Sequence, residues 1–240
     1  FGTANFTDEI FEAIRAATSE KTVAVLLEPI QGEGGVNMPS PGYLKAVRDW
    51  CDQQGLLLIL DEIQTGIGRT GTLWAYQQEG IEPDIMAIAK GLAGGVPIGA
   101  VLARDEVAAH LVPGDHGTTF GANPLATAAG LATMRHIISN DLPAAAARAS
   151  ERLTGRLRAI EDRVPGVTGV RGRGLLLAIG LSSDIAADVV AACRERGLLA
   201  NNVRPNAIRL MPPLNVTDQE IDQASEILEQ AIKSVAGSPK

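Results

Sequence analysis

The chain has 240 residues, of which 45% are hydrophobic and 20% are charged, and its formal net charge is −7. This size and apolar content suit one large or two modest globular domains with a sizeable core. The negative charge argues against nucleic acid or an anionic membrane as a partner, because both bind clustered Lys and Arg. Two cysteines and three widely spaced histidines provide neither a disulfide framework nor a metal-ligand pattern, so no metal is expected.

The apolar runs are only as long as strands, so no membrane-spanning segment is expected. The first residues, FGTANFTDEI, contain no initiator Met and no cationic-then-apolar leader, and they resemble the middle of a longer chain. We therefore predict a cytoplasmic, reducing location.

The first part of the chain predicts a parallel α/β sheet. Its strands are placed at residues 23–27, 56–60 and 85–89 and are expected to be buried, and a further strand is placed at residues 99–103. Ser40-Pro41 is a predicted N-cap and first turn for a helix that Gly55 ends. An Ala-rich helix is predicted over residues 124–139. Strand, helix and strand in this order are typical of a parallel sheet.

The second part, from about Asn140, predicts a smaller α+β domain. A helix carrying four arginines comes first, and its Arg face is interpreted as solvated rather than as a site for an acidic partner. A Gly-broken strand pair (residues 167–181) and a helix (184–196) follow. The capping-box pair Thr217 and Glu220 begins the last helix. The predicted domains are residues 1–140, part of a large cofactor-binding domain, and residues 141–240. The four arginines are Arg148, Arg152, Arg156 and Arg158.

Candidate site residues follow the predicted strands at their carboxyl ends. Glu28 follows the first strand, Asp61 the second and Lys90 the third, and Gly-rich loops come next in the chain. Ligands of open parallel sheets bind beyond these ends. Taken singly, Asp61 is equally a turn cap and Lys90 a surface lysine, but the three together favour a site.

An amine beside a carboxylate suits a cofactor that forms a Schiff base and has a protonatable ring nitrogen. Asp61 would pair with the ring N–H, and Lys90 would form the imine and then move the proton. The rival interpretation of GLAGGVPIG, a phosphate cradle, matches neither G-x-x-x-x-G-K-[ST] nor G-x-G-x-x-G.

Five segments, in this order, resemble the signature of the class III (ornithine-type) aminotransferases. They are LLEPIQGEGGV, LILDEIQTGIGRTG, PDIMAIAKGLAGGVPIGAVLA, HGTTFGANPLA and IRLMPPL. The resemblance implies the aspartate aminotransferase fold (fold type I), a parallel-rich α/β sheet with helices on both faces plus a smaller C-terminal α+β domain. It also implies pyridoxal 5′-phosphate as cofactor and a homodimer with shared active sites.

The resemblance also implies roles for individual residues of the cofactor site. Lys90 matches the lysine that forms the Schiff base, and Asp61 matches the aspartate that faces the pyridine nitrogen. Gln64 matches the glutamine that hydrogen-bonds the phenolic oxygen of the cofactor. Thr119 matches the threonine that reaches the cofactor phosphate of the neighbouring subunit; a turn hydroxyl is its alternative.

For the substrate, Arg209 matches the arginine that receives the α-carboxylate of glutamate, and Glu33 matches the glutamate that occupies this arginine in its place. A permanent structural ion pair is the alternative interpretation of these two residues. Arg69 and Glu28 fit loop bracing, and Arg171 and Arg173 fit roles in the fold.

The implied reaction transfers the terminal amino group of an acylated ornithine to 2-oxoglutarate, giving glutamate. GIGRTG, AKGLAGGVPIGA and PPLNVT are most similar to the members that act on N-acetylornithine in bacterial arginine synthesis. Ornithine, succinylornithine and 4-aminobutyrate are the alternative donors. The family's chain is longer at its N-terminus, where the phosphate loop, the ring-stacking aromatic residue and a further arginine lie. The alternative of another class is therefore a catalytically silent fragment or dimer-interface module.

Overall fold

The structure is a computed structural model that describes residues 8–236, without the side chains of residues 8–10. The segment 1–7, expected to continue from a preceding chain, lies outside the described residues. The contacts divide the chain into two compact units. Among the described residues, unit 1 comprises residues 8–29, 39–67 and 74–139, and unit 2 comprises residues 30–38, 68–73 and 140–236. The predicted domain boundary at residues 140 and 141 stays a prediction, and the two short loops that belong to unit 2 were not anticipated.

Unit 1 is built on a four-stranded sheet in the order β1–β2–β3–β4. The strands β1, β2 and β3 are parallel, and β4 runs antiparallel to β3. The elements are α1 (Asp8–Ala17), β1 (Ala24–Leu27), α2 (Tyr43–Gln54), β2 (Leu57–Asp61), β3 (Ile85–Ile88), β4 (Ala100–Ala103), α3 (Asp105–Ala108) and α4 (Pro124–Ser139). The predicted parallel order is confirmed, and α4 has the predicted limits.

Two details of unit 1 differ from the sequence-based expectation. The helix α2 begins at Tyr43, and its N-cap is Gly42, which has a φ of 81°, so the predicted start at Ser40-Pro41 was wrong. The prediction that the first strand is buried was also wrong, because Leu26 is 67% exposed. Among the described residues β1 is an edge strand, and Val25 and Leu27 pack on the core while Leu26 points away from it.

Unit 2 is built on an antiparallel sheet in the order β5–β6–β8–β7. Its elements are α5 (Leu142–Arg163), β5 (Val167–Arg173), β6 (Leu176–Leu181), α6 (Ala186–Glu195), β7 (Asn201–Arg204), β8 (Ala207–Leu210) and α7 (Asp218–Ala236). One face of β6 packs against the helices through Leu177, Ile179 and Leu181. The other face meets residues 30–38 through Leu176 and Ala178, which is why all of β6 is buried.

The arginines of α5 bind acidic residues of α7. Asp222 accepts hydrogen bonds from Arg152 Nη2 at 2.5 Å and from Arg156 Nε at 2.8 Å. Arg163 Nη2 donates to Glu229 at 2.7 Å. The expectation that the arginine face of α5 is only solvated is therefore corrected in part. Its exposed guanidinium groups instead pair with carboxylates of the neighbouring helix α7, those of Asp222 and Glu229.

The last helix begins as predicted. The amide and hydroxyl groups of Thr217 donate to Glu220 Oε2 at 2.8 Å, and Glu220 N donates back to Thr217 Oγ1 at 3.3 Å. These bonds satisfy amide groups that have no intrahelical partner in the first turn. No helix within residues 8–236 has the length and apolar content needed to cross a bilayer.

Candidate active site

The carboxyl ends of β1, β2 and β3 lie at one edge of the parallel sheet and carry the predicted site residues. Glu28 directly follows β1, Asp61 is the last residue of β2, and Lys90 comes two residues after β3. Leu27 pairs in register with Leu60, which fixes β1 and β2 at the same level. Asp61 pairs in register with Ala87, three residues before Lys90. The structure thus places Glu28, Asp61 and Lys90 on the same sheet edge.

Asp61 is partly buried, and its Oδ1 accepts a hydrogen bond from Ile63 N at 2.9 Å. This contact is the turn-capping bond that the sequence allowed as an alternative. A carboxylate has about four lone-pair sites on two oxygens, so one amide bond leaves it able to accept others. The turn bond therefore orients the side chain of Asp61 without using up its capacity.

Glu62 is a structural residue of this edge that the sequence reasoning did not assign. It is fully buried, and it accepts hydrogen bonds from Thr65 Oγ1 at 2.5 Å and from Tyr76 N at 3.0 Å. Burial raises the pKa of Glu62, and these hydrogen bonds oppose that increase. The spacing Glu-x-x-Thr after a strand was the available signal, since both partners lie in one turn.

Gln64 lies in the turn that Glu62 stabilises. Gln64 is buried, with 8% of its surface exposed. Gly66 N closes the turn by donating to Glu62 O at 2.9 Å. A Cβ on Gly66 would be 2.8 Å from Glu62 O and 3.0 Å from the Trp74 ring. Only glycine fits there unless neighbouring atoms move. Gly66 therefore allows the tight turn that places Gln64 next to the end of β2.

Lys90 occupies an unusual backbone conformation. Its φ is 47°, in the left-handed region that non-glycine residues rarely adopt, and it begins a 3₁₀ turn that extends to Ala93. Leu92 N donates to Ala89 O at 3.1 Å, and the side chains of Leu92 and Ala93 are buried. Such a conformation costs about 1–3 kcal/mol and is concentrated at functional sites. The buried leucine and alanine hold the turn, and Lys90 itself is exposed.

Thr119 lies in the exposed loop between α3 and α4. The hydroxyl group that stabilises a turn in this loop is that of the neighbouring Thr118, whose Oγ1 accepts a hydrogen bond from Gly121 N at 3.1 Å. Asn123 caps α4 by accepting from Ala126 N at 3.0 Å. The predicted contact between Thr119 and a neighbouring subunit stays a prediction.

Glu33 and Arg209 both belong to unit 2 and form an ion pair. Arg209 Nη1 donates to Glu33 Oε1 at 2.8 Å, and Arg209 Nε donates to Asn201 Oδ1 at 3.2 Å. The two sides of the pair differ in exposure. The Arg209 side chain is 10% exposed, whereas that of Glu33 is 70% exposed. The predicted pair is therefore present, with a fixed arginine and an accessible carboxylate.

Arg69 braces the β5–β6 hairpin within unit 2. Its Nη1 donates to the carbonyl oxygens of Leu175 and Pro212, and its own carbonyl accepts from Leu175 N at 2.9 Å. Burial lowers the pKa of the guanidinium to about 10, which still leaves it charged near neutrality. The described part of the chain contains no group of three or more His, Cys, Asp or Glu side chains arranged for a metal ion.

The family model described as Aminotransferase class-III matches residues 3–232. The chain belongs to this family. A curated class III relative, the acetylornithine aminotransferase of Streptomyces coelicolor, is 47% identical over 231 residues, covering 94% of this chain and 57% of its own length. The chain spans 57% of the length of each of the first three curated relatives that it matches.

Solved structures of the class III family share its fold. The N-acetylornithine aminotransferase of Stenotrophomonas maltophilia superposes with a TM-score of 0.86 at 39% identity, over 98% of this chain and 62% of its own. An ornithine aminotransferase of Toxoplasma gondii, described with partial occupancy of PLP at its active site, has a TM-score of 0.84. It is 41% identical, over 89% of this chain and 51% of its own. The expected α/β fold of type I pyridoxal phosphate enzymes is confirmed.

Proposed function

We propose that the protein is a pyridoxal-phosphate-dependent aminotransferase that moves the terminal amino group of N-acetylornithine to 2-oxoglutarate. The products are the corresponding semialdehyde and glutamate, a step of arginine biosynthesis. The proposal depends on one observation. In a chain of the class III family, Asp61 and Lys90 lie together at the carboxyl ends of two neighbouring parallel strands.

The residues at this edge fit pyridoxal 5′-phosphate. A primary amine on a constrained turn, a strand-terminal carboxylate and a buried amide match its carbonyl, pyridine nitrogen and phenolic oxygen, respectively. When bound, the cofactor supplies an electron sink for charge developing next to the reacting nitrogen. Lys90 would hold its aldehyde carbon, Asp61 its ring nitrogen and Gln64 its phenolic oxygen.

Asp61 would keep a proton on the ring nitrogen by supplying a negative charge beside it. A preorganised charge of this kind is most effective where water is scarce. Lys90 is the group that would move the proton, because its amine is released when a substrate amine takes its place.

Arg209 would bind the α-carboxylate of glutamate or 2-oxoglutarate. A guanidinium binds a carboxylate through two parallel hydrogen bonds, and this one is 10% exposed and therefore weakly solvated. Glu33 would occupy Arg209 when the terminal amine of the ornithine-type substrate reacts, since that carbon carries no carboxylate. The high exposure of Glu33 supports a carboxylate that can leave.

The curated relatives support N-acetylornithine as the amino donor, since those with 42–47% identity are named acetylornithine aminotransferases. Ornithine is the second candidate, because solved ornithine aminotransferases are as similar in structure and reach 41% identity. Succinylornithine and 4-aminobutyrate are the remaining alternatives.

A homodimer with shared active sites is part of the proposal, as is a location in the cytoplasm. Large apolar side chains of unit 1 are exposed on β4, on α4 and in the loop before it, in a chain that spans 57% of its relatives' length, so they form a surface either for the rest of the family fold or for a second subunit. Val101 is 72%, Phe120 83%, Leu125 73% and Ile138 59% exposed. Thr119 lies next to Phe120 in this loop, where it would reach the partner's cofactor phosphate.

The test is a steady-state comparison of N-acetylornithine, ornithine, succinylornithine and 4-aminobutyrate with 2-oxoglutarate as acceptor. We expect the highest kcat/KM for N-acetylornithine. A preference for ornithine would assign the protein to the second candidate function. A colourless protein with no turnover of any donor would instead support the alternative of a catalytically silent module.

A further inference from the structure

The sheet of unit 2 carries a row of directly opposed residues. Ala178 of β6 pairs in register with Arg171 of β5 and with Arg209 of β8, and Arg209 pairs with Asn201 of β7. Directly opposed residues of antiparallel strands point to the same face. Two arginine side chains are therefore on the same sheet face, separated by the small side chain of Ala178.

Residues 30–38, called the Glu33 loop, lie on this same face. Ile30 and Val36 of the loop are buried against Leu176 and Ala178 of β6. Within the loop, Gln31 and Asn37 form an isolated β-bridge that closes it. Apolar burial thus anchors both ends of the loop, while its tip, from Glu33 to Gly35, has no apolar side chain to fix it.

The tip has an unusual backbone. Val36 is completely buried but has a φ of 54°, a strained value for a β-branched residue. Gly35 has a φ of 124°, and a Cβ there would be 3.3 Å from Arg204 Cγ. Within the loop, Asn37 Nδ2 donates to Gly34 O at 3.0 Å, and Val36 N donates to Gly32 O at 3.2 Å. Side-chain contacts from outside the loop add to these bonds in keeping the strained conformation.

Two arginines provide these contacts. Arg171 donates from Nε at 3.0 Å and from Nη2 at 2.6 Å to the carbonyl oxygen of Gly35. Arg204 of β7 donates from Nε at 2.9 Å and from Nη2 at 2.6 Å to the carbonyl oxygen of Gly34. Each guanidinium thus donates two hydrogen bonds to one of the two peptide carbonyls that follow Glu33, and Gly34 O accepts a third bond from Asn37 Nδ2.

We propose that Arg171 and Arg204 are positioning residues that set how often Glu33 occupies Arg209, and so tune selection between an α-carboxylate and a terminal amine. This inference rests on the proposed function of Glu33 and Arg209. The Glu33 side chain is 70% exposed, so water and salt compete for its carboxylate and the ion pair alone holds it weakly. The position of its backbone decides the outcome, and the two arginines fix that position.

The test measures the dissociation constant of glutarate, an unreactive five-carbon dicarboxylate, for the cofactor-loaded protein by calorimetry. Glu33→Ala should tighten glutarate binding, because Arg209 is then always available. Arg204→Ala should tighten it by roughly two- to tenfold, the range expected from losing one to two net hydrogen bonds, and never beyond Glu33→Ala. Arg204→Lys, which retains one donor for Gly34 O, should restore most of the wild-type value.

The double variant Glu33→Ala with Arg204→Ala should bind glutarate as Glu33→Ala does, because no carboxylate is left to position. Arg196→Ala is the matched control, since this exposed arginine, which follows α6, donates to Ala192 O at 2.8 Å and to Ser234 Oγ of α7 at 3.4 Å. Its glutarate affinity should equal that of the wild type. A lower melting temperature of Arg204→Ala with unchanged glutarate affinity would overturn the inference and leave the proposed function intact. Unchanged affinity in Glu33→Ala would overturn both the exchange at Arg209 and the inference.

Discussion

At the scale of single residues, the candidate site consists of side chains whose backbones are fixed by their immediate neighbours. Asp61 is oriented by Ile63 N, Gln64 lies in a turn closed on Glu62, and Lys90 begins a turn held by Leu92. The reactive groups therefore need little reorganisation to take their positions. This is the property on which electrostatic stabilisation of a reacting ligand depends.

Replacing Asp61 with Asn tests its proposed role beside the ring nitrogen. The amide keeps the size and can still accept the hydrogen bond from Ile63 N, but the charge is lost. We expect the proton-abstraction step to slow by about a hundredfold or more, with little change in the melting temperature. Single-turnover kinetics with N-acetylornithine deuterated at the carbon that carries the terminal amine would measure it. Asp49→Asn, an exposed carboxylate on α2, is the control; equal rates in both variants would show that Asp61 is only a turn cap.

Replacing Glu33 with Ala separates a movable carboxylate from a permanent ion pair. If Glu33 leaves Arg209 during glutamate turnover, the glutamate half-reaction should persist. The ornithine-type half-reaction should lose selectivity for the terminal amine, by up to about 1 kcal/mol for one exposed charge. Rapid kinetics of the two half-reactions, together with a melting curve, make the measurement. Equal losses in both half-reactions with lower stability would mean that the pair is structural.

At the scale of helices and strands, two glycines with positive φ offer a matched comparison. Gly174, in the β5–β6 turn, has a φ of 59°, and a Cβ there would be 2.5 Å from Arg69 O. Gly197, after α6, has a φ of 87°, and a Cβ there would have nothing within 4 Å. An added side chain would strain the backbone at both positions. Only at Gly174 would it also clash with neighbouring atoms.

We therefore expect Gly197→Ala to lower the free energy of unfolding by about 1 kcal/mol and Gly174→Ala by at least about 3 kcal/mol. Urea unfolding followed by circular dichroism measures both values. Similar losses in the two variants would show that Arg69 does not hold the turn of the hairpin as tightly as the structure indicates.

The ion pairs between α5 and α7 make stability depend on pH. Hydrogen bonds from Arg152 and Arg156 hold the pKa of Asp222 well below its usual range. A carboxylate with a lowered folded-state pKa stabilises the fold above its unfolded pKa of about 3.9, and this contribution disappears as the pH falls toward the folded value. Asp222→Asn should therefore melt below the wild type at pH 7, and the difference should shrink below about pH 4. Glu195→Gln, at the exposed end of α6, should show no such convergence. A difference that is constant across pH would contradict the assignment.

The sequence predicted elements wherever the signal was local. The apolar run before Asp61 and the capping pair at Thr217 both specified structure within a few residues, and α4 has its predicted limits. The predicted start of α2 was wrong because the local sequence does not reveal whether Ser40 or Gly42 is the N-cap, nor that Gly42 has a positive φ. The exposure of Leu26 was missed because an apolar run does not show which strand forms the edge of the sheet among the described residues.

The candidate site was predictable to the same extent. Asp61 and Lys90 could be placed on one edge because parallel strands end together. The roles of Arg171 and Arg204 could not be, since their partners Gly35 and Gly34 are 136 and 170 residues away in the chain. Contacts of this kind depend on the register of the sheet, which carries no local signal.

At the scale of the whole molecule, the residues of the proposed reaction are shared between the two units. Unit 1 contains the groups proposed for the cofactor, Asp61, Gln64, Lys90 and Thr119, and unit 2 contains the substrate pair Glu33 and Arg209. The cofactor-binding part of the proposal can therefore be tested separately from substrate selection. The central claim concerns unit 1: Lys90 is the covalent attachment point of the cofactor.

The most direct test is reduction of the purified, cofactor-loaded protein with borohydride, followed by peptide mass spectrometry. We expect the pyridoxyl phosphate mass on the peptide containing Lys90 and on no other lysine. Lys90→Ala should carry no such label and should have no measurable aminotransferase activity, because both the nucleophile and the proton carrier are absent. A labelled lysine other than Lys90, or normal turnover by Lys90→Ala, would contradict the account.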